Sequence, residues 1–281
     1  MPAARKIIRQ TRSQPTLEGA GVHLKRAFQY EPDGLQDPFL LLDDFRSDFP
    51  EHYIKGFPWH PHRGIETITY VLHGRVAHSD SLGNKGVIGP GDVQWMTAGS
   101  GIIHQEMPHG DTGGRMYGFQ LWANLPHANK MMPPRYREVK SDQIPLAVTA
   151  DGVNIRVICG EIAGVHGPVQ DIVTQPTYLD VFVPADVEYK LELPGGQTAL
   201  VYVFEGNGNF GSEQPCQDGA MLIFGDGDYI PSRGGSGGVR FLLMAGQPIR
   251  EPVAWYGPIV MNTQDELRQA FDELQKGTFI K

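Results

Sequence analysis

The chain is poor in cysteine: its 281 residues carry two, Cys159 and Cys216. There is no C-x-x-C pair, which argues against a thiolate zinc site. Two free thiols in a reducing compartment are expected, rather than one disulfide. Positive charge is also scarce. Lys and Arg number 24 against 32 Asp and Glu, a formal net charge of −8. That leaves no general basic stripe to displace counterions from a nucleic acid. The basic start Arg5, Lys6, Arg9, Arg12 is short and mixed with polar residues, and reads as a solvated strand edge. Long apolar runs are missing too. The N-terminus has no signal-type apolar core, and no run approaches the ~20 residues that span a bilayer. The expectation is a cytoplasmic protein without a membrane segment.

Turn-formers, by contrast, are abundant, with 35 Gly and 22 Pro. They interrupt long helices and suit many short strands. Hydrophobic residues at 40% can fill a core, and charged residues at 20% are too few for a disordered chain. Short β-like runs recur at residues 21–28, 66–72, 91–96, 116–122, 154–159, 178–183, 198–204, 220–223 and 239–245. Between them lie turn signals such as Gly89-Pro-Gly91 and Pro194-Gly-Gly196. This pattern predicts an all-β sandwich or barrel. One segment reads as a helix. Thr263-x-x-Glu266 is a capping box, and Leu267, Ala270, Phe271 and Leu274 follow at helical spacing before Gly277.

The chain also looks duplicated. Tyr70-Val-Leu-His-Gly74 matches Tyr202-Val-Phe-Glu-Gly206, and Phe119-Gln-Leu-Trp-Ala123 matches Phe241-Leu-Leu-Met-Ala245, in the same order. Two tandem β-barrels of one architecture are expected, over residues 1–135 and 145–281, the second ending in the short helix. The polar, proline-bearing stretch from Met131 to Ile144 marks the boundary.

Two short motifs carry the chemistry. His60-Pro-His62 puts imidazoles at i and i+2, which share one face of a strand. His104-Gln-Glu106 repeats the geometry with an imidazole and a carboxylate, after Gly99-Ser-Gly101, which permits a tight turn. Two such strands side by side present three nitrogens and one carboxylate oxygen to one point. Such a set suits one divalent metal (Fe, Mn, Ni, Cu or Zn) and leaves coordination positions open.

These motifs resemble those of the pirin family. The run His60-Pro-His-Arg-Gly-Ile-Glu-Thr67 with Tyr70-Val-Leu-His-Gly74 is similar to pirin's first cupin motif, and the run from Gly91 to Glu106 to its second. Phe119-Gln-Leu-Trp-Ala-Asn-Leu-Pro126 and Tyr256-Gly-Pro-Ile-Val-Met-Asn-Thr263 are also pirin-like. The resemblance implies a bicupin with one iron-type metal, Fe(II), in the N-terminal barrel, on His60, His62, His104 and Glu106. Glu66 is a rival ligand. The general cupin spacing back from Gly74 puts the carboxylate position at Thr67, and a one-residue shift turns a strand side chain to the other face; this favours Glu106, with Glu66 rescued only by a bulge at Gly64. The second barrel has no H-x-H, and its Cys216, Asp226 and Asp228 read as solvated turn residues, so one metal per chain is expected.

The resemblance further implies a quercetin 2,3-dioxygenase-type oxidoreductase that takes a flavonol and O2, with Glu106 as the base for the flavonol 3-hydroxyl. Phe57, Trp59 and Met107 flank the ligand segments as candidate pocket walls. The alternative it implies is a redox-sensing regulator that binds a protein partner, a transcription cofactor, through its metal state. The acidic balance disfavours direct nucleic-acid contact in either case.

Overall fold

The computed structural model describes residues 2–212 and 214–281. Among them strands dominate and one α-helix is present, α1 (Gln264–Gln275). The expectation of an all-β chain with a short C-terminal helix is met. Among the described residues no helix is long and apolar enough to cross a membrane. The chain divides into two compact units, but not at one contiguous boundary. The C-terminal unit comprises Met1–Ser13, Tyr30–Pro38 and Asp142–Pro248, and the N-terminal unit Gln14–Gln29, Phe39–Ser141 and Ile249–Lys281. Against the expected blocks 1–135 and 145–281, the first strand groups with the C-terminal unit and the helix with the N-terminal one.

β1 (Ile7–Arg12) explains the first exchange. It pairs antiparallel with Ala220–Phe224 and closes one edge of the nine-stranded sheet of the C-terminal unit. Arg9 on this strand is partly exposed and pairs with Glu31 and Asp33, as a solvated edge should. Arg5 departs from that expectation. It is 1% exposed, and its guanidinium donates to the carbonyls of Pro194, Gln197 and Gly225. The interior of this unit is apolar: Val157, Leu179, Val201, Phe210, Leu222, Phe241 and Leu243 belong to one buried cluster. The two cysteines form no disulfide among the described residues, and both are buried.

The N-terminal unit is built from β2 (Gln14–Glu18), β3 (Val22–Gln29), β4 (Phe39–Asp44), β5 (Phe57–His62), β6 (Ile65–His73), β7 (Arg75–Asp80), β8 (Lys85–Ile88), β9 (Val93–Thr97), β10 (Ile102–His109), β11 (Tyr117–Asn124) and β12 (Arg135–Val139). They form a seven-stranded sheet in the order β12-β9-β6-β11-β4-β3-β2 and a four-stranded sheet in the order β5-β10-β7-β8. β5 is an edge strand, which is why it tolerates Pro58 and Pro61. α1 carries the capping box read from the sequence: Glu266 N–H donates to Thr263 Oγ1 at 3.2 Å and Thr263 N–H to Glu266 Oε2 at 2.8 Å. Its Leu267 and Ala270 are buried with Ala254, Ile259, Met261 and Phe279.

The duplication is visible in the ladders. Tyr70 and Tyr202 are both fully buried. Tyr70 faces Phe119 across its ladder, whereas Tyr202 faces Leu242. Strand pairing therefore shifts the second motif match by one residue from the sequence alignment of Phe119 with Phe241.

Candidate metal centre

β10 lies between β5 and β7. Across the β5 ladder His104 faces His60, and Ile102 faces His62. Across the β7 ladder His104 faces Asp80, and Glu106 faces His78. The turn that returns the chain into β10 needs glycine. Gly99 has φ +51°, and a Cβ there would run into the carbonyl of Met132. Gly64, between β5 and β6, has φ +78°, and a Cβ there would run into the carbonyl of Val260.

His60, His62 and His104 converge. One donor atom from each lies within 4.8 Å of the others, and they form the only such group of three or more His, Cys, Asp or Glu among the described residues. His62 and His104 are buried, while His60 is half-buried and opens the cluster to solvent. Their second ring nitrogens are engaged. His60 Nδ1 lies 2.7 Å from Pro58 O and His62 Nδ1 3.1 Å from Pro258 O. A carbonyl only accepts, so each Nδ1 carries the proton and each Nε2 keeps its lone pair. His104 Nε2 is buried without any partner among the described residues, a state that costs on the order of 1–3 kcal/mol unless something binds it. Burial lowers the pKa of both His62 and His104 well below the usual imidazole value, helped by the neighbouring histidines. Neutral imidazole is the ligand form. The three residues fit a divalent first-row metal.

Glu106 shares the inward face of β10 with His104, but its carboxylate is not in the 4.8 Å group. It is held by hydrogen bonds: Thr69 Oγ1 donates to Oε1 at 2.9 Å and Gln120 Nε2 to Oε2 at 2.8 Å. Trp122 Nε1 donates in turn to Gln120 Oε1 at 3.1 Å, and its ring meets His62 edge-on at 4.9 Å. Glu66 lies on the other face of β6 from Thr67 and Thr69. Its Oε1 accepts from Thr97 at 2.7 Å, and burial raises its pKa despite that bond. Of the candidate walls, Trp59 is 54% exposed, Phe57 packs on the cluster of Val22, Phe45 and Tyr53, and Met107 points away from the face that carries His104 and Glu106. In the C-terminal unit Cys216 is buried and Asp226 is exposed on a turn, capping the N–H groups of Gly196 and Gly227. Asp228 accepts from Ala3 N–H.

The last segment of the chain pins the β5–β6 turn. Arg63, 2% exposed, pairs with Glu273 of α1 at 2.8 Å and donates to Ser100 O and Phe279 O. Lys130 donates to Gly64 O, Asn124 Oδ1 and Val260 O at 2.9, 2.7 and 3.1 Å, and burial lowers its pKa to about 7.

Four residues were missed from the sequence: His78, Asp80, Gln94 and Gln120. His78 and Asp80 alternate with Val76 on the buried face of β7. The period-two spacing in Val76-Ala-His-Ser-Asp80 was the available signal.

Two β-barrel units with a three-histidine cluster in one of them define the class of two-cupin proteins. Family models agree: the one described as Pirin matches residues 21–123, and the Pirin C-terminal cupin domain matches residues 178–280. A pirin-like protein of Caulobacter vibrioides is 43% identical, covering 98% of this chain and 99% of its own. Mouse pirin is 38% identical over 96% of this chain and 92% of its own. A crystal structure described as quercetin 2,3-dioxygenase from Acinetobacter baumannii is 33% identical, with a TM-score of 0.91 and 99% of each chain covered. The chain belongs to the pirin family.

Proposed function

We propose that the chain binds one divalent metal, Fe(II), through His60, His62 and His104 with Glu106 as the fourth ligand, and that it is a dioxygenase opening the ring of flavonols such as quercetin with O2. The observation that carries this reading is the set of three converging imidazoles with their Nε2 atoms uncommitted and one edge open at His60. The likeness to a structure described as quercetin 2,3-dioxygenase supports the substrate class.

A metal held there supplies Lewis acidity, which lowers the pKa of a chelating hydroxyl. The protein's own groups do the rest. Glu106 takes the flavonol 3-hydroxyl proton, and Thr69 and Gln120 hold its two oxygens in place. Trp122 orients Gln120. His60, at the open edge, admits the substrate, while His62 and His104 stay out of water.

Oxygen uptake and carbon monoxide release, followed with quercetin and iron-loaded protein, test the reading. Turnover well above free iron, lost in His62→Ala together with the bound iron, is expected. Turnover no better than free iron rejects the dioxygenase and leaves a redox-dependent protein partner as the reading to pursue.

A further inference from the structure

His60 and His62 owe their tautomer to backbone carbonyls, which can only accept a hydrogen bond. His104 has no such partner. Its Nδ1 lies 3.4 Å from Nδ1 of His78, a group that can donate or accept. Something else must decide which of the two carries the proton between them.

Asp80 decides it. Its Oδ1 accepts from the backbone N–H groups of Leu82 and Asn84 at 2.9 and 3.0 Å. Its Oδ2 accepts from the Asn84 side chain at 2.9 Å and faces His78 Nε2 at 3.1 Å. With donors on every other side, this carboxylate has an acceptor to offer His78, so His78 Nε2 carries a proton. With Nε2 donating to Asp80, the acceptor of His78 is Nδ1, whose single lone pair is shared between Gln94 Nε2 at 3.2 Å and the Nδ1–H of His104 at 3.4 Å. The proton of His104 sits on Nδ1, and its Nε2, buried and without a partner, keeps its lone pair. The ring of Tyr136, stacked on His78 at 4.7 Å, holds the relay in plane.

We infer that Asp80 and His78 are positioning residues that lock His104 in its Nδ1–H tautomer, so that all three imidazoles present Nε2 to one metal. The inference rests on the metal-site reading above. It extends the usual carboxylate–histidine–metal arrangement by one further imidazole.

Asp80→Asn inverts the polarity. The two backbone N–H groups keep the amide oxygen at the Oδ1 position, which turns the NH2 toward His78 Nε2. His78 must then accept at Nε2 and donate from Nδ1, and the proton of His104 is driven onto Nε2, where the metal should sit.

Two measurements on the full-length chain test this. Long-range 1H–15N correlation spectra of histidine-labelled wild type, stripped of metal, should show His104 as the Nδ1–H tautomer and His78 as the Nε2–H tautomer, with peaks assigned from His104→Gln and His78→Phe. Either tautomer reversed overturns the inference, whether or not any variant folds. Co(II) titration followed by absorption should show Asp80→Asn binding about 10–100-fold more weakly than wild type, with circular dichroism unchanged. Equal affinity overturns the inference. His62→Ala separates the two levels. If it binds Co(II) like wild type, the metal site itself falls and the relay with it; if it loses Co(II) while Asp80→Asn does not, the relay alone falls.

Discussion

The two barrels of this chain share an architecture and differ in what fills them. In the N-terminal barrel Thr67 and Thr69 flank Ile68 on β6, two residues before Tyr70, and Thr69 lies opposite Gln120 across the ladder. In the C-terminal barrel the same positions before Tyr202 are Ala199 and Val201, and Val201 lies opposite Leu243. One interior spends its volume on Thr69, Gln94, His104, Glu106 and Gln120, each bonded to another polar group or aimed at the metal position. The other spends it on a continuous apolar cluster. The difference teaches that the fold needs only the second kind of interior. The first is a site set into the same frame, where polar groups bond one another but Gln94 Oε1 and His104 Nε2 are left buried without a partner among the described residues.

If the C-terminal barrel is the purely structural one, its core residues should govern stability and leave the metal alone. Leu243→Ala removes a fully buried side chain from that cluster and should cost on the order of 2–5 kcal/mol. Denaturant unfolding reads the cost, and metal analysis of the folded variant should give the same content per chain as wild type. A fall in metal content at full folding would break the comparison.

Thr69→Val sharpens it by importing the residue found at the matching position of the other barrel. The valine fills the same volume but withdraws the donor to Glu106 Oε1, leaving Gln120 on Oε2. The lost buried bond to Glu106 costs about 1 kcal/mol of stability, and the longer 3.4 Å bond from Gln120 Nε2 to Thr69 Oγ1 is lost with it. Metal affinity should fall by about tenfold, the lower end for groups that support a ligand. Affinity identical to wild type would mean that this threonine does not support Glu106 as a ligand.

What could be read in advance follows the range of the interactions. The histidine pairs were legible because a strand's period of two is local: i and i+2 face one way wherever the strand ends up. The helix was legible for the same reason, since Thr263 and Glu266 cap each other within one turn. The exchange of chain ends was not. Nothing in residues 7–12 says that their ladder partner is Ala220–Phe224, because edge pairing is set by which edge is left open once the barrels form. His78 and Asp80 lie between the two metal motifs and matter only because β7 pairs with β10. The one-residue slip between the two copies was hidden as well, since apolar strands align equally well in neighbouring registers until the ladder is seen.

The smallest effect concerns the helix that follows the C-terminal barrel in sequence yet packs in the N-terminal unit. Burial would raise the pKa of the Glu273 carboxyl, but hydrogen bonds from Lys281, Gln269 and Arg63, with the charge of Arg63, bring it from its ordinary 4.5 down to about 2. A carboxyl depressed in the folded state adds stability that is fully present above its unfolded value and lost as pH falls through its folded one. The contribution of Glu273 should therefore hold above pH 4.5 and disappear toward pH 2. Glu273→Gln keeps a hydrogen-bonding side chain beside Arg63, which still has Ser100 O and Phe279 O as partners. The variant should be modestly less stable at neutral pH and should converge with wild type as acid is added, read from denaturation midpoints between pH 5 and pH 2. Parallel curves over that range would mean that the ion pair does not tie the helix to Arg63, and the claim that this helix steadies the β5–β6 turn would lose its electrostatic support.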